Sequence, residues 1–238
     1  APFTLVREAG QFFTRQTELL AENKRLNDAQ LTAAMQAMRL KQLEIENARL
    51  VELNEARRGL PQASQLAEVL YNGRDPFSAR LIINRGERQG VQDGRIVADA
   101  SGLVGQIVRV QPQTSEVRLL TDRGHLVPIV VERNQLRAVV YGMGRNLPLE
   151  VRNLSPNVDI VEGDKLLTSG IGGLYPAGLP VARVVQVDRQ GAYARIVCEP
   201  VSGIEQHRFV LVLDAVPALP PYPAQASVPV AKSVRKGS

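Results

Sequence analysis

Tryptophan is absent from this chain of 238 residues, the aromatic residues together make up 4% of it, and there is one cysteine, Cys198. A single thiol excludes an intramolecular disulfide and any cysteine-based zinc site. Set within an apolar run, Cys198 is expected to be buried and inert as a small hydrophobe. With so few rings, Val, Ile and Leu must fill any core, which suits β packing. At 44% hydrophobic residues the chain can hold one large domain or two small ones.

Long apolar runs are missing too: no stretch approaches the roughly 20 residues that span a bilayer. Histidine occurs only at His125 and His207, far apart, and carboxylates do not cluster, so no metal-ligand spacing and no cofactor motif emerges. The net charge is +5 and the pI about 9.6, which raises nucleic acid as a partner. Basic residues are nevertheless scattered among acids, the longest run in the folded part being Arg57-Arg58, with no aromatic platform to stack bases. The charge is read as a weakly basic face suited to an anionic surface, with no nucleic acid implied.

Between Gly10 and Gly59 there is neither glycine nor proline, and Ala, Leu, Glu, Gln, Arg and Asn predominate. This predicts one helix over residues 1–60, ended by Gly59 and Pro61, with nearly fifty residues reaching about 70 Å. Leu5, Phe12, Leu19, Leu26, Ala33, Leu40, Asn47 and Asn54 form a seven-residue row; its companion row is polar early (Glu8, Arg15, Glu22) and apolar only at Leu43 and Leu50. The best coiled-coil seam is therefore Leu40, Leu43, Asn47 and Leu50, with Asn47 as a core asparagine that sets register and strand number. The alternative is a helix packed on its own β domain with Asn47 facing water.

After Pro61 short β-branched runs recur about every ten residues between turn residues, the pattern of an all-β barrel or sandwich. Strands are predicted near 66–71, 79–83, 95–98, 104–110, 117–120 and 127–131, then near 137–141, 149–151, 165–168, 181–187, 193–198 and 209–213. About six strands each suits two small barrels, over 61–134 and 135–215, with strand exchange between them left open. The sets read as a degenerate repeat: Val91 to Gly94 answers Val161 to Asp164, and Gly102-Leu103 with Ile107 to Val110 answers Gly178-Leu179 with Val184 to Val187. Residues 216–238 are Pro-rich with a basic end and are expected to be disordered.

The densest glycine segment lies between Asp164 and Val187, where Gly170, Gly172, Gly173 and Gly178 mix with Pro176 and Pro180 between two apolar runs. A phosphate cradle would need these glycines to lead into a helix, which the prolines block. Ser169 also lacks the Gly-x-Ser-x-Gly setting of a nucleophile elbow. The segment is thus two strands joined by a tightly folded loop.

The pattern Gly-Asp-x-x-x-Thr-Ser-Gly-x-Gly-Gly-x-Tyr-Pro-x-Gly-x-Pro-Val from Gly163 to Val181 resembles the signature of MreC, the bacterial rod-shape-determining family. Ile83-Asn84-Arg85-Gly86 with Gly90-Val91, Gly102-Leu103-Val104-Gly105 and Leu119-Leu120-Thr121-Asp122 fall in that family's order, so the resemblance covers roughly residues 1 to 215. Ala182 stands where many relatives have glycine. The resemblance implies a coiled coil followed by two six-stranded β-barrels, mainly β with a long N-terminal helix, and no catalysis. It implies a fragment from the periplasmic side of the bacterial inner membrane, its N-terminal membrane anchor removed, in keeping with a first residue other than methionine. The implied partners are itself, as a homodimer or a filament, the elongation-specific penicillin-binding transpeptidase, MreD and RodA, and indirectly MreB.

For partner docking the residues of choice are Leu174, Tyr175 and Pro176, since a tyrosine held among glycines and proline offers contact area at low entropic cost. The competing reading has Tyr175 plugging its own barrel. A different class of function, a secreted trypsin-like serine hydrolase, would require Ser169, His125 and a carboxylate such as Asp122 to converge.

Overall fold

The protein was described from a computed structural model, which describes residues 3–60, 62–73, 78–203 and 208–214; the side chains of 3–19 and of Asn72 are outside that description. His207, the tail at 216–238 and the side chains of Leu5, Phe12 and Leu19 therefore lie outside the described residues.

Helix α1 runs unbroken from Phe3 to Gly59, about 85 Å at 1.5 Å per residue. It passes through Gly10, where an isolated glycine costs about 1 kcal/mol and is outweighed by strong helix formers on both sides. Arg57 and Arg58 occupy the last turn, where cations offset the negative end of the helix dipole. Among the described side chains of the helix only Leu53 is buried. The chain divides into two compact units, Ala1–Arg58 and Gly59–Ser238.

The second unit contains twelve strands: β1 (Ser64–Asn72), β2 (Arg80–Ile83), β3 (Ile96–Ala98), β4 (Leu103–Val110), β5 (Ser115–Leu119), β6 (Leu126–Val131), β7 (Arg137–Tyr141), β8 (Leu149–Leu154), β9 (Lys165–Thr168), β10 (Pro180–Asp188), β11 (Ala194–Pro200) and β12 (Phe209–Leu213). Each coincides with a predicted strand. The inward positions alternate along β2, β5 and β6, so that Leu81, Ile83, Val117, Leu119, Val127, Ile129 and Val131 are buried while their neighbours face outward. All pairings are antiparallel, and both sheets close on themselves, which removes exposed edges.

The barrels are not two consecutive sets of six. The first closes in the order β1-β12-β3-β4-β5-β2 and the second in the order β10-β11-β8-β7-β6-β9. A division at 134/135 falls between two six-strand segments and not between two barrels: β6, from the first segment, completes the second barrel, and β12, from the second segment, completes the first. Read round each ring, β1, β2, β3, β4, β5 and β12 occupy the places of β7, β8, β9, β10, β11 and β6, so each half gives its sixth strand to the other. A strand's alternation reveals its faces and not its neighbours, which is why the exchange could only be left open.

The repeat extends to individual hydrogen bonds. Gly94 N donates to Ile107 O and Ile107 N to Arg95 O in the first barrel, at 2.9 and 2.8 Å; Gly163 N donates to Val184 O and Val184 N to Asp164 O in the second, at 2.8 and 2.9 Å. The barrels meet at a close joint. A Cβ on Gly102, in the β3–β4 turn, would lie 2.3 Å from Pro180 O of β10, and one on Gly142 would lie 2.2 Å from Asp122 O in the chain joining β5 to β6. Ser202 Oγ donates across the joint to Leu103 O at 2.7 Å.

Candidate functional site

The glycine segment is the β9–β10 connection, and it folds around Thr168. That residue is fully buried: its hydroxyl donates to Pro176 O and accepts from Leu179 N at 2.9 Å, while Gly178 N donates to its carbonyl at 2.9 Å. Gly170 shows why glycine is required, having φ of 72° and a Cβ position 2.8 Å from the Ala177 methyl. The loop turns Tyr175 inward.

Tyr175 is 2% exposed and Pro176 is also buried, so of the three residues expected to dock a partner only Leu174, 47% exposed, reaches the surface. The Tyr175 hydroxyl lies 3.0 Å from His125 Nε2 and donates to Leu126 O at 3.4 Å. His125, 3% exposed, follows the turn after β5; burial, reinforced by the charge of Arg118, lowers its pKa to about 4. Burial likewise pushes the Tyr175 hydroxyl up to about 12, the nearby Arg118 opposing the effect. Near neutral pH two uncharged groups therefore satisfy one another, as buried polar groups must. Tyr175 acts as a plug, and the docking reading is corrected for it and for Pro176.

The same contacts rule against the hydrolase. His125 Nε2 is directed to Tyr175, the Ser169 hydroxyl accepts from Ile171 N at 3.3 Å, and Asp122 accepts from Ala79 N at 2.9 Å with Arg118 at 3.7 Å. Each presumptive triad member is used by the fold, and no nucleophile–base hydrogen bond joins them. Cys198 is buried as expected, and burial raises its thiol to about 12, so it is not a thiolate at neutral pH. Among the described residues no group of three potential metal ligands occurs.

Charge on the second barrel serves its connections. Arg133, in the β6–β7 turn, donates to Asp164 at 2.8 and 3.1 Å and to Asp159 at 3.0 and 2.8 Å, tying that turn to the β8–β9 loop. These hydrogen bonds, with one from Asn134, hold the Asp159 carboxyl at about 2, and Arg133 also holds Asp164 below its ordinary range. Glu150, 4% exposed, would be raised by burial, but hydrogen bonds from Arg195 and Arg152 offset this and keep it below its ordinary value.

What remains available is apolar. An open cleft of about 600 Å³ lies between the β7–β8 loop and the outer face of β10 and β11, with Leu147, Pro148, Val185, Val197 and Glu199 among its walls. Val185 is the extra residue of a β-bulge between Val184 and Gln186, which turns its side chain outward to 37% exposure. Ile171 and Leu174 add exposed apolar surface on the β9–β10 loop. The cleft was not foreseen, because a bulge leaves no mark in an alternating apolar run. On the helix, Leu40, Leu43 and Asn47 are exposed and Leu50 is half-buried, so the expected seam is open to solvent.

Residues 69–214 match the family described as "Rod shape-determining protein MreC, barrel core". The chain belongs to the MreC family. It is 36% identical over 215 residues to the cell shape-determining protein MreC of Escherichia coli, a match covering 90% of this chain and 59% of that protein. The chain spans somewhat over half the length of such curated relatives. The crystal structure of MreC from Pseudomonas aeruginosa superposes with a TM-score of 0.61 at 41% identity, covering 63% of this chain and 99% of that one. A Helicobacter pylori MreC solved in complex with the penicillin-binding protein PBP2 has a TM-score of 0.50 at 17% identity over 64% of this chain and 98% of that one, a likeness of fold alone.

No helix among the described residues is long and apolar enough to cross a membrane.

Proposed function

We propose that this chain is a non-catalytic scaffold of the cell-elongation machinery, which pairs with itself through its helix and presents its fused barrels to peptidoglycan-synthesis proteins. The observation that carries the reading is the contrast inside a member of this family between an open helix seam, with Leu40 62% exposed, and barrels in which His125, Ser169 and Asp122 are each hydrogen-bonded within the fold. Leu40, Leu43, Asn47 and Leu50 form the pairing seam. A parallel arrangement is favoured by charge, because Arg39 of one copy then falls opposite Glu44 of the other across the seam.

The docked protein is the elongation-specific penicillin-binding transpeptidase, a reading supported by the description of a Helicobacter pylori family member in complex with PBP2. Its docking surface here is the cleft at Leu147, Val185 and Val197. MreD, RodA and, indirectly, MreB complete the assembly, on the periplasmic side of an inner membrane to which an N-terminal anchor would hold the chain. The mechanism is positional: pairing raises the local concentration of whatever the barrels hold.

Titrating purified transpeptidase against the full chain and its Val185→Glu variant tests the docking. A charge placed in an apolar contact centre is expected to weaken binding by roughly tenfold or more while the melting temperature holds. Equal affinity of the two would remove the cleft from the proposal.

A further inference from the structure

The cleft on the second barrel has a composition that narrows what can fill it. Leu147, Pro148, Val185, Val197 and Pro200 give it apolar walls, and Glu199 is the one charged residue of its lining. Its volume of about 600 Å³ suits a few residues of an uncharged, extended segment. Such a segment occurs in this chain. From Ala215 to Ala231 no residue is charged, and Pro217, Pro220, Pro221 and Pro223 fall within seven positions, with Tyr222 the only aromatic residue after Phe209.

Strand pairing sets how far that segment must travel. Ala98 of β3 pairs with Leu103 of β4 on one side and with Leu211 of β12 on the other, so Leu211 lies two strand spacings, about 10 Å, from Leu103. The Leu103 carbonyl accepts from Ser202, which lines the cleft. Asp214, whose N donates to Ala63 O at 2.9 Å, is three residues beyond Leu211, roughly 10 Å further along the strand. The way back from Asp214 to the cleft wall is therefore about 20 Å. In polyproline form at about 3.1 Å per residue, seven residues cover that distance and place residue 221 at the cleft.

We propose that Pro220, Pro221, Tyr222 and Pro223 seat in this cleft on the same chain, the Tyr222 ring against Val185 and Val197 and its hydroxyl donating to Glu199. A proline-rich segment loses little conformational entropy on docking, and the short tether gives it a millimolar effective concentration that a free partner must exceed. The cleft is thus covered by its own chain, and a protein that uses it must first displace the segment. The contact does not depend on transpeptidase docking; the competition rests on that reading.

The test uses the full chain carrying Val185→Cys, Cys198 being buried. Labelling of this variant by a maleimide is expected to quicken roughly tenfold when Pro220→Ser, Pro221→Ser and Tyr222→Ser are added, as for a site covered nine-tenths of the time. Oxidation of the chain with Val185→Cys and Tyr222→Cys is expected to give chiefly a product with the mass of one chain, at a rate independent of concentration. Equal labelling with and without the serine substitutions, or a product chiefly of two linked chains, would overturn the proposal. Purified transpeptidase should bind the chain with the three serine substitutions, and Val185 intact, roughly tenfold more tightly. Faster labelling with unchanged transpeptidase affinity would uphold the segment in the cleft and overturn the docking reading instead.

Discussion

The helix and the barrel unit of this chain invest their apolar residues in opposite ways. In the barrels Leu81, Ile83, Ile107, Ile129, Leu149 and Ile196 are sealed from solvent, while on the helix Leu26, Leu31, Met35, Met38 and Leu40 are more than half exposed. A buried side chain of this kind contributes about 1.5–3 kcal/mol relative to an exposed one, so the barrel unit has its stabilisation within a single chain. The helix gains it only from a neighbour. The difference teaches where association belongs: barrel folding should be independent of concentration, and helix order should not.

The largest expected effect sharpens one side of that comparison by breaking the barrel unit. Because β6 and β12 are exchanged, a fragment of residues 59–134 or 135–214 lacks the strand that closes its barrel, whereas 59–214 keeps all twelve. Each short fragment is expected to lack cooperative thermal unfolding and dispersed amide resonances. A fragment that folds alone would mean that the exchange is dispensable.

Next in size is the joint. Gly102→Val places atoms where the Cβ alone would lie 2.3 Å from a backbone oxygen, and backbone cannot yield as a side-chain tip can. A loss of about 3 kcal/mol or more is expected in urea unfolding of the full chain.

A smaller effect separates plug from surface on a single loop. Tyr175→Phe leaves His125 Nε2 without its partner in a buried place and should cost about 1–2 kcal/mol. Leu174→Ala, at an exposed position, should change stability by less than about 0.5 kcal/mol. Equal losses in the two, by thermal melting, would contradict the placement of Tyr175.

Spread over several pH units, and slight near neutrality, are the effects of pH, which should appear in the barrels and not in the helix. The unfolded chain protonates His125 near 6.5 and the folded one near 4, so stability is greatest above 6.5 and falls as pH drops from 6.5 towards 4, by up to about 3 kcal/mol. Asp159 has a lowered folded value instead. Its contribution is present above 3.8 and is lost as pH falls towards about 2. Urea unfolding across pH should lose its upper slope in His125→Gln and its lower one in Arg133→Ala.

Much of this was legible in the residues. Absence of glycine and proline after Gly10 marked the helix, and Gly59 marked its end; β-branched runs broken by turn residues marked every strand, because turn chemistry and alternation are local properties. The partners of β6 and β12 are not local, and the exchange could be left open but not assigned for that reason. Tyr175 was readable as rigid but not as inward, since direction depends on where His125 lies in space, fifty positions earlier.

Sedimentation equilibrium of the full chain beside residues 59–238, over a wide range of concentration, tests most directly the claim that this protein works by self-pairing on its helix. The full chain should have the mass of a pair or more, dissociating on dilution, while the shorter chain stays at the mass of one. Single-chain mass for both at every concentration would contradict the account.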